Sequence, residues 1–264
     1  AADRQRRAAE LGAELFPDGN HPFIANILLD WGSALENLGQ HDEAREHYLR
    51  ALKIIEDNLG KDHPDLATPL TNLGSMAIRR EDYKTAMTYF ERVLGLLDST
   101  VESDHPDKAR PLYGLGVAYE HRGRWRKASS LFKRALTIWE KAQGRNHPQL
   151  AYPLLGLCRV LARRGQYQTA LESCTRALNI RETKQIDPTL QAQARFELAQ
   201  ITWETATRRG ASNAEVEQAR ALVLARRARD AYAQATPPDS ESIERIDGWM
   251  DDRESPGNER PSPR

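Results

Sequence analysis

The dipeptide His-Pro occurs at His21–Pro22, His63–Pro64, His105–Pro106 and His147–Pro148, each copy 42 positions from the next. A second proline follows five residues later in three of the four, at Pro69, Pro111 and Pro153. Self-similarity at a fixed period of this size marks a repeat architecture, in which a supersecondary unit buries its apolar face against copies of itself. The dipeptide divides the chain into repeat 1 (21–62), repeat 2 (63–104), repeat 3 (105–146) and repeat 4 (147–186), and Asp187–Pro188 opens a divergent repeat 5 (187–236). In each unit two apolar-periodic stretches flank a short polar turn, which predicts a pair of helices, named A and B here. Proline is tolerated at a first helical position, where its missing N–H would have no intrahelical partner, so Pro106 and its counterparts mark the start of each A helix. Pro111 deprives the Asp107 carbonyl of its i+4 donor, which predicts a kink or a restart of the helix.

Within repeat 3, Leu115-Gly116-x-x-Tyr119 and Ala128-x-x-x-Phe132 reproduce the spacing of the tetratricopeptide pattern. Gly116 and Ala128 fall where two helices approach within about 8–10 Å, and Phe132 fills the space one turn further on. Gly32, Gly74, Ala44, Ala86, Ala170, Tyr48 and Phe90 hold the corresponding places elsewhere, while Cys158 and Cys174 replace the small and the aromatic residue in repeat 4. The period exceeds the plain tetratricopeptide's value of about 34, mostly where the B helix runs on, as in ALTIWEKAQGRN. This long form, with His-Pro at the start and an L-x-x-L-G segment after it, resembles the kinesin-light-chain type of tetratricopeptide repeat over residues 21–186. The resemblance implies an all-α fold: a right-handed superhelical array of antiparallel helix pairs. Residues 1–20 match the end of a preceding B helix, with Ala9 standing where Ala51, Ala135 and Ala177 stand. Residues 237–252 read as a capping helix that covers the last apolar face, and 253–264 as a disordered tail.

A narrower resemblance rests on HPQLAYPLLGLC, RALNIRE, ARALVLARRARDAYA and the tryptophan-bearing last helix. These segments look like the carboxy-terminal repeat region of large bacterial serine/threonine protein kinases, which implies partner binding or regulation of a linked kinase. The chain itself has no glycine-rich strand loop, His-Arg-Asp or Asp-Phe-Gly, so no kinase activity is expected of it. It opens without methionine and partway through a repeat, and is expected to be a portion of a longer protein.

Lys plus Arg equals Asp plus Glu, 38 each, so no overall field draws the chain to nucleic acid or to an anionic membrane. No run of about 18 apolar residues and no signal-peptide pattern is present, and a cytoplasmic location is expected. Cys158 and Cys174 are expected to lie close together inside one hairpin as buried, reduced, inert thiols. Equivalent histidines of successive repeats stand too far apart to share a metal, and Gly114-x-Gly116 lacks the strand and the third glycine of a dinucleotide loop. Neither a cofactor nor a catalytic constellation is expected.

What remains is the inner face lined by the A helices. Arg79, Arg110, Arg159 and Arg163 sit in its middle, interleaved with Tyr113 and Tyr152, with Asn72 and His121 beside them. Gly114 and Gly156 are expected to deepen its floor. Arginines among aromatic residues suit an extended protein or peptide partner that carries carboxylates or phosphates, although the same arginines could be spent on neighbouring glutamates. Asn72 is the single member here of the asparagine ladder that many peptide-binding repeats carry. The rival expectation is a scaffold whose repeat ends self-associate and assemble linked kinase domains.

Overall fold

A computed structural model describes residues 16, 19–184, 187–209 and 213–254. Among the described residues the chain is all α, without a strand. The helices are α1 (Pro22–Asn37), α2 (His41–Leu59), α3 (Ala67–Arg79), α4 (Tyr83–Asp98), α5 (Ala109–His121), α6 (Trp125–Gln143), α7 (Ala151–Arg163), α8 (Tyr167–Thr183), α9 (Pro188–Arg209), α10 (Ala214–Ala233) and α11 (Ser240–Glu254). Odd-numbered helices up to α9 are the A helices and even-numbered ones the B helices; α11 occupies the expected place of the cap. Arg253 and Glu254, expected in the tail, belong to α11. The expected half-repeat before Asn20 lies outside the described residues except for Phe16, Gly19 and Asn20, as does the tail from 255.

Each histidine of the His-Pro pairs is an N-cap. Its Nδ1 accepts a hydrogen bond from the backbone N–H two residues on: Phe23 to His21 at 3.2 Å, Asp65 to His63 at 3.2 Å, Asp107 to His105 at 3.3 Å and Gln149 to His147 at 3.3 Å. That bond satisfies one of the orphan donors at a helix start. Asp187 performs the same task in repeat 5, its Oδ1 accepting from Thr189 N at 2.7 Å.

The second proline decides how the chain continues beyond the cap. Where it is present, Pro64–Leu66, Pro106–Lys108 and Pro148–Leu150 form one 3-10 turn, and the α-helix restarts at Ala67, Ala109 and Ala151. Pro69, Pro111 and Pro153 thereby become third residues of α-helices, where a backbone N–H has no intrahelical acceptor to lose. In repeats 1 and 5 Ile27 and Gln193 stand at that place, and α1 and α9 run uninterrupted from Pro22 and Pro188. The turn between A and B helices needs a left-handed residue, supplied by Gly39, Gly123 and Gly165. Glu81 takes this conformation in repeat 2, with φ 58°.

The contacts divide the chain into two compact units, residues 1–138 and 139–264. In the first, α1 packs on α2 and α3 on α4, and Gly116 of α5 meets Phe132 of α6. One contact recurs in all three hairpins. A Cβ added to Gly32, Gly74 or Gly116 would come within 2.5 Å of the Tyr48 ring, 2.7 Å of the Phe90 ring or 2.7 Å of the Phe132 ring. Ala44, Ala86 and Ala128 are fully buried beside these rings. Phe90 is held from a second side, since a Cβ on Gly114 would overlap the same ring. Gly114 is therefore a packing glycine between α4 and α5, not the open groove floor expected from the sequence.

In the second unit α7 packs on α8, α9 on α10, and α11 on α10. Phe196, Ala199, Ala225, Tyr232, Ile246 and Met250 belong to its core. Here the Gly–ring pair is replaced by Cys158 and Cys174, which are fully buried with Cα atoms 5.4 Å apart and are joined by a disulfide. The expectation of two separate thiols is thus corrected. Equivalent positions of an A and a B helix face each other so closely that two short side chains meet sulfur to sulfur.

Two outcomes test this packing. Gly114→Ala lowers stability by about 1–3 kcal/mol through overpacking against Phe90, whereas Gly95→Ala, in open space on α4, raises it by about 0.5–1 kcal/mol; denaturant melts of the two variants read the opposite signs. His105→Ala costs about 1 kcal/mol by loss of a cap while His105→Asp does not, because Asp187 already fills that role; thermal melts distinguish the two.

Candidate interaction surface

In the first unit the A helices bring together a charged cluster. Arg79 of α3 forms an ion pair with Glu36 of α1. Glu36 also accepts a hydrogen bond from Tyr48 Oη at 2.7 Å, and Tyr48 Oη lies 3.2 Å from Ser33 Oγ. Burial raises the Tyr48 pKa above the usual phenol range and lowers that of Arg79; the guanidinium of Arg110 lowers Arg79 further. Arg110 itself is exposed and forms no ion pair among the described residues. Tyr113, three residues on, is half-buried, its ring 5.8 Å from that of Phe132. His121 stacks on Tyr83 with ring centroids 4.3 Å apart, and Asn72 is buried.

In the second unit Arg159 of α7 donates to Glu197 of α9 at 2.9 Å, and Gln193 donates to the same carboxylate oxygen at 3.2 Å. Tyr152 is 40% exposed, with the Arg181 guanidinium 5.6 Å from its ring centre. Arg163 is exposed at the end of α7 and, like Arg110, makes no ion pair among the described residues. The four arginines read from the sequence thus fall into two classes. Arg79 and Arg159 tie one A helix to another, and Arg110 and Arg163 remain available.

The sequence reading passed over two buried cations. Lys108 is 1% exposed and places its Nζ 2.8 Å from Asp98 Oδ1 and 3.2 Å from the Val101 carbonyl oxygen. Arg181, also 1% exposed, donates to the Leu190 carbonyl and to Gln193 Oε1. Each breaks the 42-residue register: Leu66 and Leu150 hold the place of Lys108, and Ile55, Leu97 and Trp139 that of Arg181. A charged residue at an apolar repeat position is the signal that would have found both. A further set joins successive B helices, with Arg92 on Glu56 at 2.6 Å and Arg176 on Glu140 at 2.5 Å.

A cavity of about 660 Å³ lies between the start of α9 and the end of α10, lined by Leu190, Tyr232, Pro237 and the carboxylates Asp187 and Asp239. Hydrogen bonds from Thr189 hold the Asp187 pKa low, and those from Ser242 hold Asp239 low. Both carboxylates are thus occupied as helix caps. No group of three or more His, Cys, Asp or Glu among the described residues is placed to hold a metal ion. No helix is long and apolar enough to cross a membrane among the described residues.

The tetratricopeptide repeat profile matches residues 23–99, 79–141 and 107–183. The chain belongs to the tetratricopeptide-repeat family. No curated protein sequence matches this tetratricopeptide-repeat chain. Among solved structures it is similar to BtubC (BKLC) from P. vanneervenii, with 18% identity, TM-score 0.65, and coverage of 99% of this chain and 94% of that one. It is also similar to the kinesin-light-chain structure with nearly identical TPR-like repeats from Podosopora anserina, with 21% identity, TM-score 0.59, and coverage of 81% and 97%. The apo form of RapI shares 17% identity with a TM-score of 0.57 over 86% and 84% of the two chains. These likenesses place the fold with kinesin-light-chain-type tetratricopeptide arrays.

The two classes of arginine predict different costs. Arg79→Glu sets a second carboxylate against Glu36 and lowers stability by about 1.5–3 kcal/mol, whereas Arg110→Glu stays within about 0.5 kcal/mol of the parent. Urea midpoints of the two variants measure this directly.

Proposed function

We propose that this tetratricopeptide-repeat chain is a non-catalytic protein-interaction module whose A helices receive acidic or phosphorylated segments of a partner protein. The observation that carries the reading is the contrast within the arginine set: Arg110 and Arg163 are exposed and outside any ion pair among the described residues, while Arg79 and Arg159 are paired with glutamates. A guanidinium held on a helix presents a planar fork suited to carboxylate or phosphate, and a partner group there gains charge-assisted hydrogen bonds. Tyr113 accompanies Arg110 on α5 and Tyr152 accompanies Arg163 on α7, so each unit offers a cation with an aromatic ring on one helix. Asn72 and His121 contribute less, one being buried and the other engaged by Tyr83.

The parent protein in this reading is a cytoplasmic bacterial serine/threonine kinase, supported by the resemblance of HPQLAYPLLGLC, RALNIRE and the α10 segment to the repeat regions of such kinases. The array then acts on partners and leaves phosphoryl transfer to another part of that protein.

Fluorescence anisotropy with a labelled glutamate-rich peptide, its phosphoserine counterpart and a neutral peptide tests the surface. Arg110→Glu and Arg163→Glu each weaken the two anionic peptides about tenfold or more, with circular dichroism unchanged and with affinity falling as salt rises. Equal binding of neutral and anionic peptides, or affinity unchanged in both variants, removes the acidic-segment reading.

A further inference from the structure

Three of the hairpins are closed by the same two-part contact, a glycine of the A helix against a ring of the B helix. In the fourth both parts change together, at the same offsets, into Cys158 and Cys174. A cysteine at 158 is sterically possible only because residue 174 no longer projects a ring, since a Cβ at the equivalent glycines would run into one. The replacement removes the largest side chain of the interface and puts a covalent bond in its place. Both residues are fully buried, so the bond lies inside the hairpin.

We propose that Cys158 and Cys174 form a thiol–disulfide switch that sets how firmly α7 is held on α8. In the oxidised state one S–S bond joins the two helices. A dithiol reductant delivers two electrons and two protons: its thiolate attacks one sulfur, a mixed disulfide forms and resolves, and the products are two cysteine thiols and the oxidised reductant. The reverse reaction uses a disulfide oxidant, which leaves as two thiols. In the reduced state the sulfurs separate to non-bonded contact, and no ring takes the place of the bond, so the hairpin loosens. The attack itself requires transient opening, because neither sulfur reaches solvent.

The switch bears on the proposed surface. α7 carries Tyr152, Arg159 and Arg163, and Arg159 is tied to Glu197 of α9. The last turn of α8 carries Arg181 and Glu182, which hold Gln193 and Arg195 of α9. The bond therefore joins the helix that carries the exposed Arg163 to the helix that anchors the fifth repeat, and reduction frees one to move against the other.

The test uses the full chain, equilibrated with oxidised glutathione or with dithiothreitol. Alkylation under denaturing conditions followed by intact mass gives no adducts in the first state and two in the second. Hydrogen exchange of amides in α7 and α8 rises about tenfold or more on reduction, while α1 to α4 are unchanged. The double variant Cys158→Gly/Cys174→Phe restores the contact of the other three hairpins; its α7 and α8 exchange as slowly as in the oxidised parent and ignore dithiothreitol. Free thiols after glutathione treatment, or unchanged exchange in α7 and α8 of the parent on reduction, would falsify the switch, and this comparison stands even if the double variant does not fold. A double variant that answers to dithiothreitol as the parent does also overturns it.

Discussion

The contact between a bare Cα and an aromatic ring governs these hairpins. An A and a B helix can approach so that Phe90 lies against the backbone of α3 only because Gly74 has no side chain, and the same ring needs Gly114 on its other flank to admit α5. The interaction is close-packed and leaves no slack, so it fixes both the separation of the helices within a hairpin and the register of the next hairpin upon it. Around it the small residues Ala86 and Ala128, the leucines of the A helices and Val93 of α4 fill in as an ordinary apolar core.

Much of this was legible because the informative residues recur at one offset. His-Pro, the second proline, the glycine, the small residue and the ring each repeat at 42, and a pattern of five coincident signals admits few folds. The effect of the second proline was legible as well, since a ring without N–H cannot sit four residues beyond a carbonyl in a continuous α-helix. The helix restart in repeats 2, 3 and 4 shows the rule at work, and the unbroken α1 and α9 show the result when it is lifted.

The candidate surface was less legible, for a reason that also lies in the spacing. Which arginine is spent and which is available depends on partners about one repeat away: Arg79 meets Glu36 and Arg159 meets Glu197, at separations that follow no local helical rule. Gly114 looked like a groove residue because the helical wheel places it opposite Leu112 and Leu115, yet that face meets the preceding repeat's ring. The cysteines were legible as neighbours inside one hairpin but not as a bonded pair, because a buried cysteine reads as an inert small hydrophobe and the sequence does not print its redox state. Lys108 and Arg181 show the same lesson from the other side, since a charge in an apolar register carries its own partners into the interior.

The histidine caps have a consequence for how such a chain changes over time. The caps at His63, His105 and His147 are each closed within two residues of their own repeat, the imidazole accepting from the backbone N–H just beyond it, and the His21 ring adds a stack on Phe16 to the same bond. A block of 42 residues therefore carries its own start signal, its own turn and its own glycine–ring lock. Copying or deleting such a block leaves every remaining helix with a valid beginning, and only the contacts between repeats, such as Arg79 with Glu36 and Gly114 with Phe90, have to be remade at the new joint. The fourth repeat shows the complementary freedom, in which a single unit exchanges its lock for different chemistry while its neighbours keep theirs.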